Sequence, residues 1–216
     1  MKKILLALAI AIFTPNMGKS QQTFSPEESD TASFSQERIE KLLAYFRKDQ
    51  VFSIANVDFG TSCKEAEGKL KNKFGEPYFL SSNNKLQFKN IKYGGLDFNS
   101  VFFLFQSDGN NTYLNCCIFI REAKDYAQAL EFEQEYANIL SRKYTKVFSE
   151  VDEKGNPFHF CGFSPFWDGT LQGSYEAGVA IHTDIMKYDE EVARNLQYQY
   201  AVRLIYGPFN YVKEEF

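Results

Sequence analysis

Two amphipathic helix patterns are each followed by a run of strand patterns, and this succession limits the fold more than any other feature of the chain. The first helix pattern begins at Ser62, which forms a capping box with Glu65, and ends at Gly75. The second begins at Asp125, a capping residue, and extends to about Tyr144. Helices that alternate with groups of consecutive strands predict an α+β fold, with two or three helices packed on one face of an antiparallel sheet.

Three strand patterns follow each helix pattern. Aromatic residues, which favour strands, make up 17% of the chain. The predicted strands are 86–93, 101–106 and 113–121 after the first helix, and 158–163, 175–186 and 196–206 after the second. A turn cluster at 107–111 predicts a hairpin, and a change of phase near Lys89 and Asn90 predicts a bulge or turn. The repeated order is that of a tandem α-β-β-β duplication.

Residues 1–20 have the pattern of a signal peptide. Two lysines precede an apolar run of about ten residues, which is too short to span a bilayer core of about 30 Å. The small residues Gly18 and Ser20 stand before Gln21, where we expect cleavage. An uncleaved membrane anchor is the alternative. The pattern predicts a chain that is periplasmic or secreted and has no transmembrane segment after cleavage.

The rest of the chain divides into a polar linker and one domain. Residues 21–33 are polar and lack periodicity, which is typical of a flexible linker. Residues 34–216 form a single predicted α+β domain that opens with a further amphipathic helix over 33–49. Cleavage of residues 1–20 removes three lysines and changes the net charge from −4 to −7. The chain therefore lacks the basic surface that binding to nucleic acid requires.

The cysteines can be read in two ways. They are Cys63, Cys116, Cys117 and Cys161. Export permits disulfides, and four cysteines allow three complete pairings. Cys116 and Cys117 are adjacent in a predicted strand, so their side chains point to opposite faces and are not expected to bond to each other. The alternative is that all four are reduced and buried as small apolar side chains.

Two pairs of potential metal ligands lie in neighbouring predicted strands. His159 and Cys161 are two residues apart and share a face, and so do His182 and Asp184. If the two strands paired in the right register, the four side chains could approach a zinc site. The spacing matches no zinc motif, so the expectation is two surface histidines, a buried cysteine, and no metal or cofactor.

Other catalytic and binding motifs are scarce. No Walker or G-x-G-x-x-G pattern occurs, which disfavours nucleotide binding. A cysteine nucleophile needs a neighbouring base, and no known motif surrounds any of the thiols. The segment 158–169 is the richest in aromatic residues and contains Trp167, the only tryptophan. Exposed aromatics anchor protein interfaces and stack on sugars, although closing the core is the alternative use of these side chains.

The segment from Phe59-Gly60-Thr61-Ser62 to Phe74-Gly75-Glu76-Pro77, followed by antiparallel strands, resembles a family pattern. It is similar to the motif of the β-lactamase-inhibitory-protein-like fold, which is shared by the small lipoprotein of the outer-membrane assembly machine. The interval between Gly60 and Gly75 is longer here, and no lipid-anchor cysteine follows the leader. The chain also resembles small exported proteins of Bacteroidetes, and Asp30-Thr31-Ala32 matches their O-glycosylation sequon. The resemblance implies a non-enzymatic binding module.

The sequence therefore favours a non-catalytic binding module of the bacterial envelope, with another protein or a glycan as its partner. We expect the contact surface to combine the solvated sheet face with the aromatic segment. The residues predicted to form it are His159, Trp167, His182, Asp184 and Arg203. Two alternatives remain open, namely an envelope hydrolase with a Cys/His/carboxylate site and a glycan-binding accessory protein.

Overall fold

The computed structural model describes residues 49–81, 84–107, 112–144, 147–162 and 178–209. Within these ranges the chain forms three helices, an eight-stranded antiparallel sheet and a separate two-stranded hairpin. This is the predicted α+β class. The predicted signal peptide, the predicted linker, residues 33–48 of the helix predicted over 33–49, and Trp167 lie outside the described residues.

The elements follow one another in two similar halves. Hairpin strands β1 (Ser53–Ile54) and β2 (Val57–Asp58) precede helix α1 (Cys63–Phe74), and helix α2 (Tyr126–Lys143) opens the second half. The strands between the helices are β3 (Phe79–Ser81), β4 (Lys85–Tyr93), β5 (Leu96–Ser107) and β6 (Thr112–Ala123). After α2 come β7 (Phe148–Val151), β8 (Pro157–Cys161), β9 (Ile181–Lys187), the short helix α3 (Glu190–Leu196) and β10 (Tyr200–Tyr206).

The order across the large sheet is β3-β4-β5-β6-β10-β9-β8-β7. Each half is thus a helix followed by a four-stranded meander, and β6 pairs with β10 at the centre. The predicted repeat had three strands in each half. Strands β3 and β7, at the two edges of the sheet, were not predicted, and both are only three or four residues long.

Helix α1 begins and ends where the sequence predicts. The Ser62 side chain accepts a hydrogen bond from the Glu65 backbone N–H. The Gly75 N–H donates to the Lys71 carbonyl at 2.9 Å, and glycine is suited to its φ of 82°. The buried face consists of Cys63, Ala66 and Leu70.

Helix α2 packs on the same face of the sheet as α1. It lies against β6, β8, β9 and β10, whereas α1 lies against β4 and β6. Asp125 caps α2 by accepting a hydrogen bond from the Gln128 N–H at 2.8 Å. Leu130 is 37% exposed, because the buried stripe of α2 passes through its neighbour Ala129 and then Glu133. Ala137, Leu140 and Tyr144 are also buried.

Three strand predictions need correction. Residues 175–177 of the predicted strand 175–186 lie outside the described residues, and within the described ones this strand begins at Ile181; the predicted strand 196–206 begins at Tyr200. Leu196 is the last residue of α3, which Asp189 caps, and residues 197–199 connect that helix to β10. The phase change in β4 occurs at Asn90, which has a φ of 54°, but the register with β5 is the same on both sides, so no residue is inserted.

The hairpin between the predicted strands 101–106 and 113–121 is present as β5 and β6. The core lies between this sheet and the two long helices, where rings of Phe74, Phe88 and Phe103 are in contact. None of the helices in the described part of the chain has the length and apolar character needed to cross a bilayer.

Candidate interaction surface

The two predicted ligand pairs lie on opposite faces of the sheet. Phe160 pairs with His182 across β8 and β9, and neighbouring residues of a strand point to opposite faces. His159 and Cys161 therefore face the helices, whereas His182 and Asp184 point away from them. The zinc arrangement is thus wrong, and among the described residues no group of three His, Cys, Asp or Glu side chains could hold a metal ion.

The face of the eight-stranded sheet opposite α1 and α2 is called the outer face below. It holds His182, Asp184 and Arg203, three of the five predicted contact residues. Arg203 lies directly opposite Asp184 in the register of β10 and β9. Its Nε donates to Asp184 Oδ1 at 2.7 Å, and a second guanidinium nitrogen donates to Oδ2. This bidentate pair fixes two opposite charges on the outer face, and the hydrogen bond raises the pKa of Arg203 further.

His182 is half-buried beside this ion pair. Its Nδ1 is buried and has no hydrogen-bond partner among the described residues. Burial lowers the pKa of His182 below the ordinary 6.5, and Arg203 lowers it further, while Asp184 acts in the opposite direction. The lowered pKa favours the uncharged imidazole at neutral pH, so His182 adds no positive charge to the outer face.

An apolar row crosses the whole outer face. The register of each strand pair places one residue from every strand in line. This outer row consists of Phe79, Gln87, Phe102, Ile118, Ile205, His182, Phe160 and Phe148. With strands about 4.8 Å apart, it extends for about 34 Å. Six of the eight side chains are apolar, so the outer face is not the polar, solvated surface that the sequence predicted.

Charged side chains lie at the two ends of the outer face. On β4, Lys85 Nζ is 4.1 Å from the ring centroid of Phe102, and Lys89 Nζ is 3.6 Å from that of Tyr78. On β7, Glu150 is exposed and pairs in register with Phe158 of β8. The β4 end is therefore positively charged, and the β7 edge carries a carboxylate.

His159 belongs to a buried network beneath α2. Glu133, only 2% exposed, places Oε1 2.5 Å from His159 Nδ1. The Thr183 hydroxyl donates to the same oxygen at 2.6 Å, and the His159 backbone N–H donates to Thr183 Oγ1 at 2.8 Å. Because Thr183 is fully buried, this cluster joins the helix to β8 and β9 from within the core.

The thiols are not poised for nucleophilic attack. All four cysteines are free and buried. Burial raises the pKa of Cys116 and of Cys161 to about 12, and it also raises the pKa of Cys63 and Cys117. These thiols are protonated at neutral pH, and a protonated thiol is a poor nucleophile.

Sequence reasoning missed the apolar centre of the outer face. The signal was present, because the strand containing Phe102 is almost wholly apolar and so predicts apolar side chains on both of its faces. Trp167 lies outside the described residues and has no place in this geometry. Comparisons with models of protein families, with curated proteins and with solved structures gave no match.

Proposed function

We propose that this chain is an exported, non-catalytic binding module of the bacterial envelope whose outer face contacts a protein. The outer row carries the proposal. Its central members are the half-buried Phe102 and Ile118 and the buried Ile205, which form an apolar strip on the sheet face opposite the two long helices. An apolar strip bordered by polar residues is typical of a protein interaction site. The resemblance to a family of binding proteins points the same way.

The charged residues beside the apolar strip favour a protein partner over an apolar lipid. They also argue against the strip serving only as part of the protein's own core. The Arg203–Asp184 pair stands beside the strip with its side chains about 30% exposed, so both charges can be met by a partner at the rim. The lysines at the β4 end are held over aromatic rings and keep defined positions. Fixed charges around an apolar centre give a protein interface its orientation and specificity.

The hydrolase alternative finds less support in this geometry. A cysteine enzyme needs a thiolate and a base within hydrogen-bond reach. Here the thiols have raised pKa values, and the two histidines lie on opposite faces of the sheet. The described residues therefore favour binding over this kind of catalysis.

The glycan-binding alternative requires aromatic rings that present their faces to solvent. The rings of Phe148 and Phe160 are nearly parallel, at 8°, with centroids 4.7 Å apart. They stack on each other, so part of each ring face is already occupied within the chain. This arrangement favours an apolar protein contact over a flat platform for a sugar.

The test compares two matched substitutions of an apolar residue by aspartate. Ile118→Asp places a charge in the half-buried outer row, and Leu130→Asp places one on the exposed side of α2. Tagged wild type and both variants, each checked for folding by thermal unfolding, are cross-linked in the producing cells and purified. We expect the protein adducts of the wild type to persist in Leu130→Asp and to disappear in Ile118→Asp.

Two further variants test the contact residues named from the sequence. Trp167→Ala and Arg203→Ala should each weaken the adducts. Adducts that are equally strong in Ile118→Asp, Trp167→Ala and Arg203→Ala would contradict the outer face as the contact surface.

A further inference from the structure

We infer that the edge strand β7 binds an extended segment of a protein partner by strand addition, and that this segment carries a basic residue opposite Glu150. The edge is separate from the outer row, so this binding goes beyond the proposed function. It is supported by the backbone geometry of β7, by the exposure of its side chains and by their charge.

The hydrogen bonds of the β7–β8 hairpin show which backbone groups of β7 point away from the sheet. The Asp152 N–H donates to the Asn156 carbonyl at 2.9 Å, so the backbone of Asp152 bonds toward β8. Bonding alternates along an antiparallel pair, so the backbone of Glu150 also bonds toward β8. The N–H and C=O groups of Ser149 and Val151 therefore point outward. Among the described residues no strand lies beyond β7.

The side chains along this edge are open to solvent. Ser149 and Glu150 are exposed, and Val151 is 69% exposed, more than any other large apolar side chain in the described ranges. A β-branched side chain in a strand packs best beside a cross-strand neighbour. A strand added next to β7 supplies that neighbour and covers Val151.

The opposite edge of the sheet is less suited to strand addition. Its strand β3 has three residues, Pro77 stands two residues before it, and Lys89 of β4 lies over the ring of Tyr78. Short edges, prolines and lysines discourage the addition of another strand. β7 contains no proline or lysine, and its register with β8 is continuous over four residue pairs. The two edges therefore differ, and β7 is the one that can accept a short extended segment.

The charge at this edge defines the partner. In an added antiparallel strand, Ser149 and Val151 belong to the hydrogen-bonded pairs, so Glu150 belongs to a non-hydrogen-bonded pair with Cα atoms about 4.5 Å apart. A lysine or arginine at the paired position lies beside the exposed carboxylate and forms a favourable cross-strand pair. An apolar residue opposite Val151 and a small polar residue opposite Ser149 complete the segment.

A second copy of this chain fits the edge less well. If two β7 strands paired about a two-fold axis, with Ser149 of each opposite Val151 of the other, Glu150 would face its own symmetry mate. Like charges directly opposite each other destabilise a strand pair. The geometry therefore favours a basic segment of another protein over self-association at this edge.

Binding of a synthetic strand tests the inference. The probe is the peptide Thr-Val-Lys-Thr-Thr with blocked ends, which places its valine opposite Val151 and its lysine opposite Glu150. It is titrated to about 5 mM into the purified, isotope-labelled protein, since a free pentapeptide loses conformational freedom on binding and so binds weakly. Backbone amide resonances are followed by NMR. We expect saturable shifts that are largest at Ser149 and Val151.

Two control peptides and two variants identify the contacts. A peptide N-methylated at its valine and at the threonine after its lysine cannot donate to the outward carbonyls and should not bind. Replacing its lysine by glutamate should weaken binding to the wild type by about fivefold. In Glu150→Lys this preference should reverse. Glu131→Lys makes the same charge change on an exposed residue of α2 and should keep the preference of the wild type.

The absence of shifts at Ser149 and Val151 up to about 5 mM would overturn the inference. So would equal binding of the N-methylated peptide, or a charge preference that Glu150→Lys leaves unchanged. Shifts of the same two amides on concentrating the protein alone would show that β7 pairs with a second copy, which also contradicts it. The outer face is tested separately by the Ile118→Asp comparison.

Discussion

Glu133 Oε1, on α2, lies 2.5 Å from Nδ1 of His159 on β8. The same oxygen accepts a hydrogen bond from the Thr183 hydroxyl on β9. One buried carboxylate therefore joins a helix to two strands that lie far from it in the sequence. Buried polar groups are costly when they lose their partners, so this contact fixes how α2 sits on the second half of the sheet.

Removing the carboxylate should destabilise the fold. In Glu133→Ala the Thr183 hydroxyl and the His159 ring lose a shared partner in a dry environment. We expect the free energy of unfolding to fall by about 3 kcal/mol, measured by urea denaturation. Glu131→Ala changes an exposed glutamate of the same helix and should cost no more than about 0.5 kcal/mol. Equal losses in the two variants would show that the network is energetically unimportant.

The Arg203–Asp184 pair should show a measurable coupling energy. Asp184→Asn removes the charge that the guanidinium binds, and Arg203→Lys keeps a positive charge but loses the bidentate geometry. A double-mutant cycle on these two changes should give roughly 1 kcal/mol of interaction free energy, since the pair is partly exposed. Additive effects of the two substitutions would mean that the paired geometry contributes nothing to stability.

His182 should make the protein less stable as the pH falls. Burial lowers its pKa in the folded chain below 6.5, the ordinary value that applies after unfolding. Below pH 6.5 the unfolded chain therefore binds more protons at this site, so the free energy of unfolding decreases as the pH drops toward the lowered folded pKa. The measurement is unfolding by urea from pH 7.5 to pH 5. His182→Gln should have a flatter profile over this window, and an unchanged slope would be evidence against a desolvated imidazole.

The cysteines should be free and protected in the folded protein. All four are buried as thiols, and burial raises the pKa of each. A thiol reagent added to the folded protein without reductant should react slowly, because both access and the thiolate fraction are low. In denaturant it should count four thiols per chain. A count of two or none would reveal disulfides and contradict the arrangement.

Local signals in the sequence predicted the elements that depend on local chemistry. The cap at Ser62, the stop at Gly75 and the cap at Asp125 set the helix bounds correctly, because each acts within one turn of its own helix. The short edge strands and α3 were missed, since segments of three to seven residues have too few positions to show a period.

The composition of the candidate site depends on the register between paired strands. Local sequence patterns do not reveal that register. Strand periodicity correctly placed His159 with Cys161 and His182 with Asp184. The register between β8 and β9 decides whether the two pairs lie on the same face of the sheet. In the structure Phe160, rather than His159, lies opposite His182, so the pairs lie on opposite faces. A shift of one residue would have brought all four side chains together. The apolar centre of the outer face emerges in the same way, from the alignment of eight strands.

The central claim is that the outer face binds a protein, and position-specific photocross-linking tests it most directly. A photoreactive residue is placed at Phe102 on the outer face in one version and at Lys64 on α1 in another, and both are irradiated in the producing cells. The account predicts a discrete protein adduct, either a second copy or a single foreign protein, from position 102 and none from position 64. Adducts from position 64 alone, or none from position 102 in a folded protein, would contradict it.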